Sequence, residues 1–349
     1  MARPMQKRPP RSKRPARSPR HGSGKDAAGA GAASVPGEPM RIAKYLARSG
    51  VASRREVERM IADGRVRVGG NVLETPAFTV TGAERIEVDG APVAGPERTR
   101  LWLFHKPTGL VTTNKDPEGR RTVFDALPEG TPRVVSIGRL DINTEGLLLL
   151  TNDGGLSRLL ELPSTGWLRR YRVRAHGRVS QAQLDTLKEG IAVEGVLYGA
   201  MEAEVEREQG GNTWLTVAIR EGKNREVKKV LGALGLEVNR LIRISYGPFQ
   251  LGELKPGELR EVKGRTLRDQ LGVRLIEQAG ANFDAPILNE TPNRPTPKPR
   301  ATAKRARPSD RPETGRTKET KPKREPKKTD KRGGPPSKGN GGRGADRRR

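Results

Sequence analysis

Apolar positions along the chain change period several times, and the changes mark out its elements. In Arg41 to Leu46 the residues Ile42, Tyr45 and Leu46 fall at helical spacing. A second helix opens at Ser53, which with Glu56 three residues later has the spacing of a capping box. Val57, Met60 and Ile61 give this helix its inner face, and Gly64 stops it. Val66 and Val68 then alternate into Gly69, Gly70 and Asn71, a turn ahead of Val72 that predicts a hairpin. Two short helices and a hairpin make one compact module, placed at residues 39–95, with order beginning near Pro39 and Val93 to Thr99 reading as a linker.

From Arg100 onward strand and helix signals alternate. Leu101 to Phe104 predicts a strand, and Lys106-Pro107-Thr108-Gly109 a turn. Gly146 breaks the chain before Leu147 to Leu150, an uninterrupted apolar run too short to cross a membrane and therefore a fully buried strand. Asp153 caps a short helix through Leu160, and Tyr171 to Arg174 reads as a strand. Ser180 with Gln183 forms a capping box for a helix ending at Gly190. Leu215, Val217 and Ile219 alternate, so Trp214 to Ile219 is a half-buried strand. Val227, Val230, Leu231 and Leu234 lie at i, i+3, i+4 and i+7 of an amphipathic helix. A mixed domain ends near Val262, and Leu267 to Gln278 closes it as a helix. The fold class is α+β, with a small domain followed by a larger one at residues 100–280.

Charge separates the ends of the chain from its middle. Residues 1–38 hold 9 Lys+Arg against 2 Asp+Glu, and residues 281–349 hold 21 against 8, so these two segments supply +20 of the total +27. They are rich in Pro, Gly, Lys and Arg, with Phe283 their only aromatic residue, and cannot bury enough apolar surface to offset the entropy of ordering. They are expected to be disordered basic tails. Runs such as KPKREPKK at 321–328 suit a polyanion, and nucleic acid is the favoured partner. The absence of Cys excludes disulfides, thiolate nucleophiles and cysteine-ligated metals. His21, His105 and His176 form no metal-spaced pair. The basic N-terminus has no apolar segment after it, so a cytoplasmic protein without membrane contact is expected.

Four places could carry chemistry. Asp141 stands in IGRLDINTEGLLLLTNDGG, just upstream of the buried strand. A carboxylate there can be held rigidly while facing a cleft, as a nucleophile or general base requires; equally, it could cap a turn and pair with Arg139. Lys223, Arg225, Lys228 and Lys229 crowd the start of the helix after Glu221, where positive charge opposes the helix dipole. That suggests anion binding or a carboxylate partner, the alternative being a solvated basic face. Tyr171 reads as a core or sheet-surface tyrosine from spacing alone, and Lys106 with Pro107 as a structural turn. Arg54, Arg55 and Arg59 line the outer side of the second helix, where they face either solvent or a phosphate backbone.

Two resemblances change the weight of these alternatives. RIAKYLARSGVASRREVERMIADGRVRVGG, at 41–70, looks like the alpha-L RNA-binding domain, the S-four-like fold of ribosomal and tRNA-handling proteins. KPTG at 106–109, GRLDINTEGLLLLTNDG at 138–154, RRYRV at 169–173, EGKNREVKKVL at 221–231 and the closing RISYGPFQLGELKPGELREV occur in the order found in bacterial pseudouridine synthases that modify ribosomal RNA, in the branch carrying an alpha-L domain. The GWLRRYRV and PFQLGELKPGELREV stretches look most like the type acting on 23S rRNA of the large subunit.

The resemblance implies a mixed-sheet catalytic domain working without a cofactor or metal, as a monomer, on rRNA or a large-subunit assembly intermediate. It implies that Asp141 is the catalytic aspartate, Tyr171 the active-site tyrosine and Lys228 the basic partner of the aspartate. Arg139 would fill the space left by the flipped base, with Lys106, Lys223 and Arg225 beside it contacting RNA and Arg54, Arg55 and Arg59 docking it. Two rival expectations are a non-enzymatic rRNA-binding or ribosome-assembly protein, which leaves the GRLD and EGKNREVKK segments without purpose, and a hydrolase that releases free base.

Overall fold

A computed structural model of the chain describes residues 38–289. The expectations for the basic segments 1–37 and 290–349 lie outside the described residues. The N-terminal module follows the periodicity closely. Strand β1 (Met40–Arg41) leads into helix α1 (Ile42–Arg48), and helix α2 (Arg54–Ala62) follows. Strands β2 (Val66–Val68), β3 (Asn71–Val72), β4 (Thr79–Val80), β5 (Ile86–Val88) and β6 (Ala91–Pro92) form a small sheet in the order β3-β2-β5-β6, with β4 pairing β1. Ile42, Leu46, Val57, Ile61 and Val66 meet in one apolar cluster. Ser53 caps α2 by accepting from the Glu56 amide at 3.2 Å, while the Glu56 carboxylate pairs with Arg59, so only half of the capping box forms.

The larger domain is built on a nine-stranded mixed sheet. Its strands in chain order are β7 (Leu101–Lys106), β8 (Val135–Ile137), β9 (Thr144–Thr151), β10 (Arg169–His176), β13 (Met201–Gln209), β14 (Asn212–Ile219), β15 (Glu237–Tyr246), β16 (Phe249–Gln250) and β17 (Leu259–Glu261), and a separate hairpin is formed by β11 (Ile191–Val193) and β12 (Val196–Tyr198). The sheet order is β13-β14-β10-β15-β9-β7-β17, with β8 added to β9 and β16 to β15. All pairs are antiparallel except β15 with β9, the parallel junction at the middle of the sheet. Helices α3 (Gly154–Glu161), α4 (Gln181–Asp185), α5 (Glu226–Ala233) and α6 (Gly264–Ala279) complete the domain.

Strand β9 explains its own sequence. Leu148 and Leu150 enter a core with Trp102, Phe104, Tyr171 and Val227, whereas Leu147 and Leu149 enter a second core with Leu101, Leu160, Tyr246 and Leu267. A strand buried on both faces needs a continuous apolar run. The expected break at Gly146 is not a break, since β9 runs through it. Gly146 has φ +101°, and a Cβ there would sit 2.3 Å from the Arg243 carbonyl oxygen on β15, so glycine permits the close parallel contact.

Order also continues past residue 280. Phe283 is buried in the second core, the Thr99 amide donates to the Asn282 carbonyl, and the Leu288 amide donates to Glu97, so residues 281–289 strap the interdomain linker instead of belonging to a tail. Across the same linker Arg48 of α1 donates to Asp153 at 2.6 Å and to the Gly280 carbonyl at 3.0 Å. Asp153 is the buried cap of α3, so the small module is anchored at the base of a helix whose far end, through Glu161, reaches the loop that carries Asp141.

Candidate active site

The loop Gly138 to Thr144 is fixed by its neighbours at four points. The Gly138 amide donates to Glu161 at the end of α3 (2.9 Å), and Thr112 donates to the Leu140 carbonyl (2.8 Å). The Gly109 amide donates to the Ile142 carbonyl (2.8 Å), and Lys106 Nζ donates to the carbonyls of Ile142 (3.3 Å) and Thr144 (2.9 Å). Asp141 therefore owes its position to backbone anchors on either side, which leaves its carboxylate, 34% exposed, facing a cleft of about 930 Å³.

Tyr171 on β10 and Leu241 on β15 wall the same cleft, and Arg139 lies exposed on it. The turn Glu221 to Arg225 closes the opposite side. Its backbone is held by the Lys223 amide, which donates to Glu226 Oε2 at 2.9 Å, and by the Glu226 amide, which donates back to the Lys223 carbonyl at 3.2 Å. Arg225 adopts φ +51°, the left-handed region that a non-glycine residue rarely takes, and such conformations concentrate at functional sites. Glu226 at the first position of α5 supplies the negative charge that the helix N-terminus favours, although burial raises its pKa.

Two expectations are corrected here. Lys228 does not line the cleft, because it follows the buried Val227 around the helix; the cation facing Asp141 is Arg225, whose Nε lies 3.8 Å from Oδ2. Arg225→Ala is therefore expected to lower kcat by about a hundredfold, the scale of losing one charge beside a reacting group, and Lys228→Ala by only a few-fold. Equal losses in single-turnover assays of the two variants would contradict this geometry.

Lys106 was expected at the RNA surface and is instead wholly buried, its ammonium given to the Pro107, Ile142 and Thr144 carbonyls. It holds the Asp141 loop from behind. Burial lowers its pKa from 10.5 to about 8, against the opposing pull of Asp141 and Glu145. Below about pH 8 the ammonium is charged and can serve all three carbonyls; above it the charge behind Asp141 is lost. The wild-type kcat is expected to fall as pH rises from 7 to 9, and Lys106→Met to show a low rate without that limb. A wild-type profile flat through pH 9 would count against this role.

Lys223 lines the cleft but is engaged by Glu221 at 2.7 Å and by the Leu197 carbonyl at 2.7 Å. Arg54, Arg55 and Arg59 are exposed along α2, on the small module and outside the cleft. Sequence reasoning passed over Arg169 and Arg243, both buried in the cleft wall. Arg169 was detectable, since it stands two residues before Tyr171 and so shares its strand face; Arg243 on β15 carried no such signal. Among the described residues, no cluster of His, Asp and Glu could hold a metal ion, and no helix is long and apolar enough to cross a membrane.

Comparison with known proteins matches the two parts of the chain to two families. Residues 100–233 match the RNA pseudouridylate synthase family and residues 40–86 match the S4 domain. An RNA pseudouridine synthase of Rickettsia felis is 44% identical over 227 residues, covering 65% of this chain and 98% of that protein. The ribosomal large subunit pseudouridine synthase B of Pseudomonas aeruginosa is 38% identical over 302 residues, covering 83% and 74%. Its namesake in Haemophilus influenzae is 42% identical over 220 residues, covering 61% and 62%.

Proposed function

We propose that this chain, which belongs to the RNA pseudouridine synthase family, acts on ribosomal RNA and converts one uridine of the large subunit to pseudouridine. The observation that carries the reading is the fixed Asp141 carboxylate in a cleft shared with Tyr171, Arg139 and Arg225. The ribosomal large subunit enzymes among the relatives, and the exposed arginines of the S4 domain, support the choice of RNA.

The reaction breaks the bond between ribose C1′ and uracil N1 and forms one between C1′ and C5. C5 loses a proton and N1 gains one, so no atom is added overall and no redox partner is consumed. Asp141 stabilises positive charge at the anomeric carbon, adds to it, or removes the neighbouring ribose proton. Tyr171 stacks on the detached uracil. The planar guanidinium of Arg139 fills the gap left when the base leaves its stack. Arg225 places its positive charge beside the Asp141 carboxylate, and Lys223 shapes the turn. Arg54, Arg55 and Arg59 grip phosphates of a structured RNA element and contribute docking without reading base identity.

Mapping pseudouridines in total RNA from cells lacking the gene tests this reading. One site in large-subunit rRNA is expected to disappear and to return with the wild-type gene but not with Asp141→Asn. Loss of a site only in small-subunit rRNA or tRNA would overturn the assigned target, and an unchanged map would overturn the rRNA reading altogether.

A further inference from the structure

Among the described residues, two arginines in the wall of the cleft make no ion pair. Arg169 is 7% exposed and Arg243 3% exposed, and both line the cleft. Their guanidinium carbons lie 4.7 and 5.1 Å from the centre of the same Tyr246 ring. Arg169 donates to the carbonyls of Arg220 and Glu221 and, at 2.9 Å, to the Tyr246 hydroxyl. Arg243 donates through Nε to the Leu147 carbonyl at 2.7 Å, and its Nη2 is buried without a hydrogen-bond partner. Among the described residues, neither has a carboxylate within ion-pairing distance.

Neutral carbonyls and a tyrosine ring do not cancel two buried positive charges, and an uncompensated buried charge is strongly unfavourable. Glu226 also lines the cleft and feels the Arg169 charge, but its Oε2 is taken by the Lys223 amide, it makes no ion pair with either arginine, and one carboxyl set against two guanidiniums leaves net positive charge in the wall. The missing anion is therefore sought in the substrate. On the RNA pseudouridine synthase reading, that substrate brings one phosphodiester per nucleotide, a group whose oxygens match the guanidinium fork.

Register places such a group close to the reacting base. Tyr171 and Arg243 are direct partners across β10 and β15, and Arg169 is two residues before Tyr171 on β10. Both guanidiniums thus belong to the neighbourhood of the uracil held on Tyr171, within the reach of one nucleotide.

We propose that Arg169 and Arg243 form a pocket for a single backbone phosphate adjoining the target uridine, so that the cleft recognises a nucleotide and not a nucleoside. The pocket is separate from the phosphate contacts of the S4 domain and acts on the residue being modified. It also sets the depth to which the flipped nucleotide enters.

The test uses the full-length protein with uridine, uridine 3′-monophosphate and uridine 5′-monophosphate as probes in low-salt NMR titrations. One of the monophosphates is expected to bind the wild type about tenfold more tightly than uridine, as suits a charge-assisted contact. Arg243→Gln is expected to reduce that preference to near one while uridine binds as before, and Arg169→Gln to act in the same direction. Thermal melting checks that each variant folds; should one fail, the wild-type comparison still decides. Equal affinity of all three probes for the wild type overturns the pocket, as does an undiminished preference in folded Arg243→Gln. Isomerisation of rRNA is scored on the same wild-type preparation. Isomerisation without phosphate preference rejects the pocket alone, whereas phosphate preference without isomerisation rejects the assigned reaction and keeps the pocket.

Discussion

Asp141→Asn is expected to lower kcat by about 10⁴-fold or more while changing RNA affinity by no more than about threefold. The size of the first effect follows from the loss of the one carboxylate that the Gly138–Thr144 loop presents to the cleft beside Tyr171. The smallness of the second follows from the proposed division, in which the phosphate contacts fall to arginines elsewhere. The variant should also fold normally. The loop is held by the Gly138 amide, the Leu140 and Ile142 carbonyls and the Thr144 carbonyl, none of which uses the Asp141 side chain, and the ion pair lost among the described residues is a partly exposed one at 3.8 Å. Single-turnover assays and filter binding on one preparation measure both quantities. Substantial turnover by the folded Asn variant would remove Asp141 from the reaction.

Gly146→Ala should be strongly destabilising for a single added methyl group. The residue sits at φ +101°, and the new Cβ would lie 2.3 Å from the oxygen and 2.7 Å from the nitrogen of Arg243. Both atoms are backbone of the strand that pairs with β9, so the clash is relieved only by parting β9 and β15. Left-handed strain and overpacking together cost about 3 kcal/mol or more, which lowers the melting temperature by roughly 6–12 °C in a domain of this size. Any surviving activity should fall as well, because Arg243 and Leu241 on β15 line the cleft. An unchanged melting temperature would show that the two strands have slack that the close contact denies.

Much of this protein is written in short stretches of sequence. The Leu147–Leu150 run specified a strand buried on both faces, the Ser180–Gln183 box formed both of its hydrogen bonds, Asp153 capped α3, and the spacing of Val227, Val230 and Leu231 gave the buried face of α5. These features depend on residues within a few positions of one another, where helix and strand periods act directly. Asp141 was legible for a related reason, as a charged residue placed just ahead of a segment that could only be buried.

The rest needed contacts between distant parts of the chain. Gly146 reads locally as a break, and only the approach of β15 makes it a strand residue that must lack a Cβ. Phe283 sits in a basic Pro-rich context, and its burial depends on the second core formed by β9, Tyr246 and α6. Lys106 looks like a surface turn lysine until the Ile142 and Thr144 carbonyls, some forty residues later, enclose its ammonium. Among the basic residues of EGKNREVKK, no spacing distinguishes Arg225 from Lys228, because the choice is made by a left-handed residue in a turn closed by Glu226. The two-arginine pocket is the extreme case, since it joins β10 to β15 and both to Tyr246. Sequence thus determined the elements, their inner faces and the stretch that carries Asp141, whereas the turn closed by Glu226 and the pairing of β10 with β15 decided which cations line the cleft, because charge acts through space and follows tertiary neighbours more than chain neighbours.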